Sequence, residues 1–467
     1  MNKINPSIFR EYDIRGIADR DFDETFALRL GQVYPKFLAN KTKPKIAVGK
    51  DCRLTSDRYA EALVQGLRES GCDVIRLGIC PSPLTYFSLF HLNVDGAIMV
   101  TGSHNPGDFN GFKICVGKTT IHGSDIQKIK SWVIEPPTQG FKLGEVSDYE
   151  IIPAYIEHLC RNALPVKKLK VVLDAGNGTA STVAPLLFKR LGAEVVELYC
   201  TLDGRFPNHH PDPTVPENLK QLVASVREHR ADFGVAFDGD SDRIGLVDET
   251  GRIIYGDELM VIFSRDLLRK IPGATIISEV KSSSRLYQDI QKNGGVGIMW
   301  KTGHSLIKSK MKETSAALAG EMSGHIFFAD RYFGYDDAIY AALRIFEIAS
   351  SSGQPVSKLL QDLPPAFNTP EIRIDCVEEL KFSLVDEVKE SLSKKYDVNT
   401  IDGVRIEFGD SWGLVRASNT QPVIVMRFEA PSEKRLEEIQ SLVQAVVQES
   451  AKKIGHPVLN MESHGSH

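Results

Sequence analysis

Short apolar runs, each ended by Gly, Asp, Ser or Asn, alternate along most of the chain with stretches whose apolar positions recur at helical spacing. That alternation predicts α/β units with ligand loops at strand ends. Three segments repeat one arrangement of lead-in, apolar strand, polar loop and helix: KPKIAVGKDCRLTS from residue 43, KLKVVLDAGNGTAS from 168 and GATIISEVKSSSRL from 273. They predict three similar α/β domains. From residue 367 the pattern changes. EIRIDCV, GVRIEFG, WGLVRAS and PVIVMRFEA read as strands, while SLVDEVKESLSKK and SEKRLEEIQSLVQAVVQESAKK carry helical spacing, so a smaller α+β domain is expected at the end. Joints are expected at DYEIIPAY near 150, DETGR near 250 and QDLPPAFNTP near 365, giving domains 1–149, 150–251, 252–366 and 367–467. The tail GHPVLNMESHGSH has no core pattern and is expected to fray.

Length supports several domains, since 467 residues exceed what one hydrophobic core organises. With 42% hydrophobic and 25% charged residues the composition is that of a soluble protein, and no run is long enough to cross a bilayer. The start, MNKINPSIFREYDIRG, lacks the apolar stretch of a secretory signal, so a cytoplasmic protein is expected. Seven cysteines, at 52, 72, 80, 115, 160, 200 and 376, form no C-x-x-C pair, and their odd number argues against a disulfide framework or zinc cage. Buried or inert thiols are expected. A net charge of −5 argues against a nucleic-acid partner and confines any anion site to a local cleft.

Four loops carry candidate chemistry. In TGSHNPGDFNGFK, residues 101–113, Ser103 lies between the strands GAIMV and FKICV, on a loop expected to be exposed and stiffened by Gly102 and Pro106. A serine hydroxyl needs a base to act as a nucleophile, and Lys113 or His104 could serve; the alternative is a polar turn bonding its own backbone. No G-x-S-x-G elbow is present. GVAFDGDSDRIGLVDETG sets Asp238, Asp240 and Asp242 at alternate positions after a strand. Carboxylates so close call for a hard divalent cation, Mg²⁺ where phosphate completes the shell, with Arg243 as a neighbouring phosphate ligand. A calcium loop would place Glu249 at its twelfth position, but Arg243 stands where that loop needs glycine and the flanks read as strands. A solvated acidic turn stays open. GEMSGH, residues 320–325, offers Glu321 and Ser323 to adjacent sugar hydroxyls and ends on His325, although Glu321 could equally cap a helix and His325 lie in a core. RASNTQP suits a phosphate held by Arg416, Ser418, Asn419 and Thr420, or a plain turn. VKSSSR adds Lys281 and WKTGHS adds His304.

In this order the loops resemble those of the α-D-phosphohexomutase family, and within it the bacterial phosphomannomutase/phosphoglucomutase branch, from FREYDIRG at residues 9–16 through RASNTQP. The resemblance implies three similar α/β domains and a mobile α+β fourth around a central cleft. It implies a phosphoserine at Ser103, Mg²⁺ held by Asp238, Asp240 and Asp242 with a phosphoryl oxygen on Ser103, sugar recognition by Glu321 and Ser323, and a phosphate site at Arg416, Ser418, Asn419 and Thr420. Tyr12, Arg15, Lys113, Arg243, Lys281, His304 and His325 are the further site residues it brings. The expected reaction interconverts hexose 6-phosphate and hexose 1-phosphate, for mannose and glucose, through a hexose 1,6-bisphosphate. Lys113, its pKa lowered by neighbouring cations and helped by Arg15 and His325, is expected to move the hydroxyl proton. A monomer whose partners are small phosphosugars, with no membrane and no nucleic acid, is expected. The glucosamine-phosphate branch usually has Gln where this chain has Met322; a metal-dependent sugar phosphatase and a non-enzymatic binder are the other readings. Lys50 and Cys52 in GKDCR, and Gln421, depart from the family pattern and bear on fine specificity.

Overall fold

The apolar runs form strands buried along nearly their whole length: Gly96–Val100, Phe233–Phe237 and Ile244–Asp248 have no exposed residue. Such runs suit sheets covered on both faces, where alternation of polar and apolar residues disappears. The computed structural model describes residues 4–135, 142–418, 421–456 and 459–460, which form four sheets.

The first three sheets share one four-strand plan. A central strand is flanked on both sides by parallel neighbours, and the second neighbour carries an antiparallel fourth strand. In the first sheet the order is Asp73–Ile79, Lys45–Lys50, Gly96–Val100, Phe109–Val116. In the second it is Glu194–Leu198, Lys170–Asp174, Phe233–Phe237, Ile244–Asp248. In the third it is Val296–Trp300, Thr275–Glu279, Leu318–Gly320, Ile326–Phe328. The central strands are those of the three repeated sequence segments. The hairpin from third to fourth strand holds Ser103 in the first sheet, the three aspartates in the second, and Glu321 with Ser323 in the third. The same point of one repeated plan thus supplies three of the candidate loops.

The fourth sheet is antiparallel throughout, running Phe367–Asn368, Val423–Ala430, Trp412–Ala417, Val404–Glu407, Asp397–Asn399, with Ile372–Asp375 also on Val423–Ala430. Helices Lys381–Leu392 and Glu433–Lys453 cover it. The longer begins at Ser432, whose hydroxyl accepts from the Arg435 amide. One apolar core runs continuously through parts of the first three units, while the fourth keeps its own, built on residues such as Ile374, Val415, Met426 and Val443. A small buried cluster of Val280 with Trp412 and Leu414 joins the fourth unit to the third.

Some expectations need correction. The DETGR segment is a hairpin turn inside the second sheet, whose last strand, Ile253–Ile254, follows it. Of the tail expected to fray, residues 455, 456, 459 and 460 are described, and Leu459 is buried in the fourth core with its carbonyl accepting from Gln448 Nε2; the rest of the tail lies outside the described residues. All seven cysteines are free, four of them buried.

Candidate active site

The serine loop is pinned from below. Asp51 and Arg53, just beyond the central strand of the first sheet, are each 2% exposed. Asp51 Oδ2 accepts from Thr101 Oγ1 at 2.7 Å and from the Gly102 amide at 3.2 Å, and Thr101 Oγ1 in turn accepts from the Ser103 amide at 2.8 Å. The Arg53 guanidinium gathers the carbonyls of Ser103, Asn105, Pro106 and Phe109. A Cβ on residue 102 would stand 2.6 Å from Arg53 Cζ, so glycine is required there. So held, Ser103 adopts a left-handed φ of +50°, a strained conformation for a non-glycine residue. Contrary to the expected exposure, Ser103 is buried, because the second unit closes over it. Its Oγ donates to Asp238 Oδ2 at 2.9 Å, and His104 Nδ1 lies 3.2 Å away. Gly239 completes the approach, since a Cβ there would come within 2.5 Å of the Ser103 carbonyl oxygen.

Asp238, Asp240 and Asp242 are fully buried, with ligand oxygens within 4.8 Å of one another. The solvated acidic turn is therefore excluded. So is the calcium loop, because Glu249 turns away to accept from Ser357. Asp238 Oδ1 takes the amides of Asp242 and Arg243. Asp240 Oδ2 takes Ser82 Oγ and, at 2.6 Å, Lys113 Nζ, which also donates to Asp242 Oδ2. Asp240 Oδ1 and Asp242 Oδ1 are buried with no hydrogen-bonding partner. Burial, with Asp240 and Asp242 beside it, pushes the Asp238 carboxyl well above the ordinary range. Two orphaned oxygens beside a third carboxylate that faces Ser103 form a metal-binding triad of hard oxygen donors.

Lys113 corrects an expectation. Burial pulls its pKa down, but Asp240, Asp242 and Asp238 outweigh that and hold it above the ordinary lysine range. It is a charged group clasped by carboxylates, not a lysine neutralised by cations.

Across the cleft the remaining groups come from all units. The cleft has a volume of about 2130 Å³, and its walls include Tyr12, Arg15, Ser103, Lys113, Arg243, Lys281, His304, Glu321, Ser323, His325, Arg416 and Ser418. Arg15 donates to Asn105 Oδ1 at 2.6 Å and to Asp13. Tyr12 Oη donates to the Thr302 carbonyl at 2.8 Å, packed against Gly303, where a Cβ would lie 2.4 Å from its ring. Arg243 Nε donates to His325 Nε2 at 3.1 Å. Glu321 partly fulfils its structural alternative, accepting from the Gly303 amide at the start of helix His304–Thr314. Lys281 pairs with Glu371 at 3.1 Å, and Arg416 with Asp402 at 3.1 Å. Asn419 and Thr420 lie outside the described residues.

Several residues that shape the site escaped the sequence reading. Asp51 and Arg53 stand directly after a strand, a visible signal in retrospect. Glu279, fully buried, accepts from the Met322 amide at 2.9 Å and from Thr302 Oγ1, and sits 3.4 Å from Lys281 Nζ, so it joins three cleft loops. Asp402 accepts from the Thr302 amide as well as Arg416. Asp336 lies 3.2 Å from both His304 and His325. These are single carboxylates without a local motif.

Comparison with known proteins agrees with this geometry. Four phosphoglucomutase/phosphomannomutase family models match in order: alpha/beta/alpha domain I over residues 6–137, domain II over 153–251, domain III over 255–367, and the C-terminal domain over 371–446. A phosphomannomutase/phosphoglucomutase of Pseudomonas aeruginosa PAO1 is 45% identical over 437 residues, covering 93% of this chain and 94% of that one. A phosphoglucomutase of Neisseria gonorrhoeae is 42% identical over 455 residues, covering 96% and 98%. The crystal structure of a phosphoglucomutase/phosphomannomutase family protein from Burkholderia thailandensis superposes with a TM-score of 0.91 at 39% identity, covering 98% of this chain and all of that one. The shared plan of the sheets, the buried serine against the aspartates and these matches lead to one assignment: the chain belongs to the bacterial phosphomannomutase/phosphoglucomutase branch of the α-D-phosphohexomutase superfamily.

Proposed function

We propose that Ser103 carries a phosphoryl group and exchanges it with mannose and glucose phosphates in the cleft, within the established activity of the family, the interconversion of hexose 1- and 6-phosphates by a metal-dependent phosphoserine mechanism. The observation that carries this reading is the 2.9 Å hydrogen bond from Ser103 Oγ to Asp238, which sets the hydroxyl against the metal-binding triad. Asp238, Asp240 and Asp242 would hold Mg²⁺, which when bound neutralises charge on the phosphoryl oxygens. The chain's own groups supply positioning and electrostatics, the main sources of catalysis in phosphoryl transfer. A sugar hydroxyl attacks phosphorus, its bond to Ser103 Oγ breaks, and the hydroxyl proton passes to a base. Lys113, held charged, suits stabilisation of the departing Ser103 oxygen and delivery of a proton to it. Arg15 cannot accept a proton at all and acts by charge. His325, with Nε2 toward Arg243 and the cleft, suits the role of base.

Glu321 and Ser323 would bind the 3- and 4-hydroxyls, which have the same configuration in glucose and mannose. Lys281, His304, Arg416, Ser418, Asn419 and Thr420 would take the phosphate that is not transferring, with Tyr12 closing one wall. Two opposite poses of a hexose 1,6-bisphosphate let the second phosphate return to Ser103. Met322 in GEMSGH favours the mannose/glucose branch over phosphoglucosamine mutase. Among the described residues no helix is long and apolar enough to cross a membrane. A cytoplasmic monomer that binds phosphosugars and no nucleic acid is the accompanying proposal. Mannose 6-phosphate and glucose 1-phosphate, each supplied with Mg²⁺ and a trace of hexose 1,6-bisphosphate, should both isomerise; release of inorganic phosphate instead would favour the phosphatase.

A further inference from the structure

His304 and His325 stack face to face, with ring centroids 5.3 Å apart and planes 15° from parallel, and behind them lies a carboxylate that no motif announces. Asp336 is fully buried and is bridged to Phe327 on the strand that follows the sugar loop. Its Oδ1 accepts from Lys308 Nζ at 2.9 Å. Its Oδ2 lies 3.2 Å from Nδ1 of His304 and 3.2 Å from Nδ1 of His325, the distance of an ion pair, and all three atoms are buried without a hydrogen-bonding partner of good geometry.

We infer that Asp336 is a positioning residue that keeps the proton of both histidines on Nδ1, so that each ring presents the lone pair of Nε2 toward the cleft. The assignment for His325 follows from its other side. Arg243 Nε donates to His325 Nε2 at 3.1 Å, and a guanidinium has no acceptor, so Nε2 holds a lone pair and the ring proton must be on Nδ1. There it meets only acceptors, Asp336 Oδ2 and, at 3.6 Å, Asp242 Oδ1. For His304, burial and the Lys308 ammonium press the pKa down to about 4, so the ring is neutral at neutral pH, and its Nδ1 faces the same carboxylate oxygen. The oxygens of Asp242 and Asp336 with His325 Nδ1 also fall within 4.8 Å of one another, the spacing of a second cation site. A proton on Nδ1 closes that possibility, because a metal would need the lone pair there.

This deepens the reading of His325 as the base and rests on it. When Arg243 turns to a phosphoryl oxygen, His325 Nε2 is freed to accept the proton of the attacking sugar hydroxyl. The phosphorus–Oγ bond breaks as the phosphorus–sugar oxygen bond forms, and Asp336 stabilises the resulting imidazolium through Nδ1–H.

The test is a long-range ¹H–¹⁵N spectrum of the full-length protein labelled in its histidines, with resonances assigned from His304→Gln and His325→Gln. Both rings should be Nδ1–H tautomers; an Nε2–H tautomer at His325 would overturn the inference whatever the activity. In Asp336→Asn the Nε2–H form should appear at one or both rings, and kcat for isomerisation should fall at least tenfold with KM changed less than threefold. An unchanged kcat, or a loss confined to KM, would refute the role while leaving mutase activity intact. Should Asp336→Asn fail to fold, the wild-type spectrum still decides, and it reads the tautomers even in a protein with no mutase activity.

Discussion

Lys113→Met isolates the balance of charge on which the metal-binding reading depends. Lys113 is 3% exposed and is the cation paired with Asp240 and Asp242, whose side chains are wholly buried. Breaking a buried pair by removing one partner destabilises by about 3–5 kcal/mol, because the other charge is left uncompensated. Asp240 keeps the hydroxyl of Ser82, whereas Asp242 Oδ2 loses its side-chain donor. A divalent cation should restore much of that loss. Two unit charges about 5 Å apart interact by roughly 3 kcal/mol at an effective dielectric near 20, which sets the scale for removing a positive charge beside a bound cation. Half of that is already more than tenfold in affinity. Calorimetric titration of dephosphorylated wild type and variant with Mg²⁺ should therefore show at least tenfold tighter binding by Lys113→Met. Its thermal midpoint should fall well below wild type in chelator and recover most of the difference in Mg²⁺. The kcat should nevertheless drop roughly 10²- to 10⁴-fold, the range for loss of a positioned proton-transfer group. Equal Mg²⁺ affinity, or a stability deficit of the same size with and without Mg²⁺, would refute the reasoning.

Other outcomes follow from single contacts. In Gly239→Ala the new Cβ would press within 2.5 Å of the Ser103 carbonyl oxygen, so stability should fall by about 1–3 kcal/mol in denaturant titrations and kcat should fall with it. Glu371 is pushed up by burial but pulled further down by Lys281 and Arg373, to about 2 against an ordinary 4.5. A folded-state pKa below the unfolded one gives stability that is present above about pH 4.5 and lost as pH falls toward 2. Thermal midpoints of wild type and Glu371→Gln should therefore differ at pH 6 and converge as the pH falls from 4.5 toward 3; a constant difference would exclude the pairing. Arg53→Lys keeps the charge but cannot gather four carbonyls, so phosphorylation of Ser103 by hexose 1,6-bisphosphate should slow at least tenfold while circular dichroism stays unchanged.

The strands and the repeat were legible because fully buried parallel strands leave dense apolar runs, and the polar residues that end each run mark the loops. The equivalence of the three hairpins was not, since Ser103, the aspartates and Glu321 share no sequence; only the common strand order relates them. The burial of Ser103 was hidden because the covering residues, Gly239 and its neighbours, lie far along the chain. Likewise the charge state of Lys113 depends on carboxylates from another unit, which is why the cationic neighbours expected from the resemblance pointed the wrong way. Asp336, Glu279 and Asp402 carry no signature, as a lone carboxylate in a sequence does not reveal what it will face.

The central claim is that the Ser103 oxygen is the one that carries phosphate. Intact protein incubated with Mg²⁺ and hexose 1,6-bisphosphate labelled in its phosphates, then digested and sequenced by mass spectrometry, should carry one phosphoryl group, on Ser103, which glucose 6-phosphate removes as bisphosphate forms. Label on another residue, or a Ser103→Ala protein that takes up label and isomerises as fast as wild type, would contradict the account.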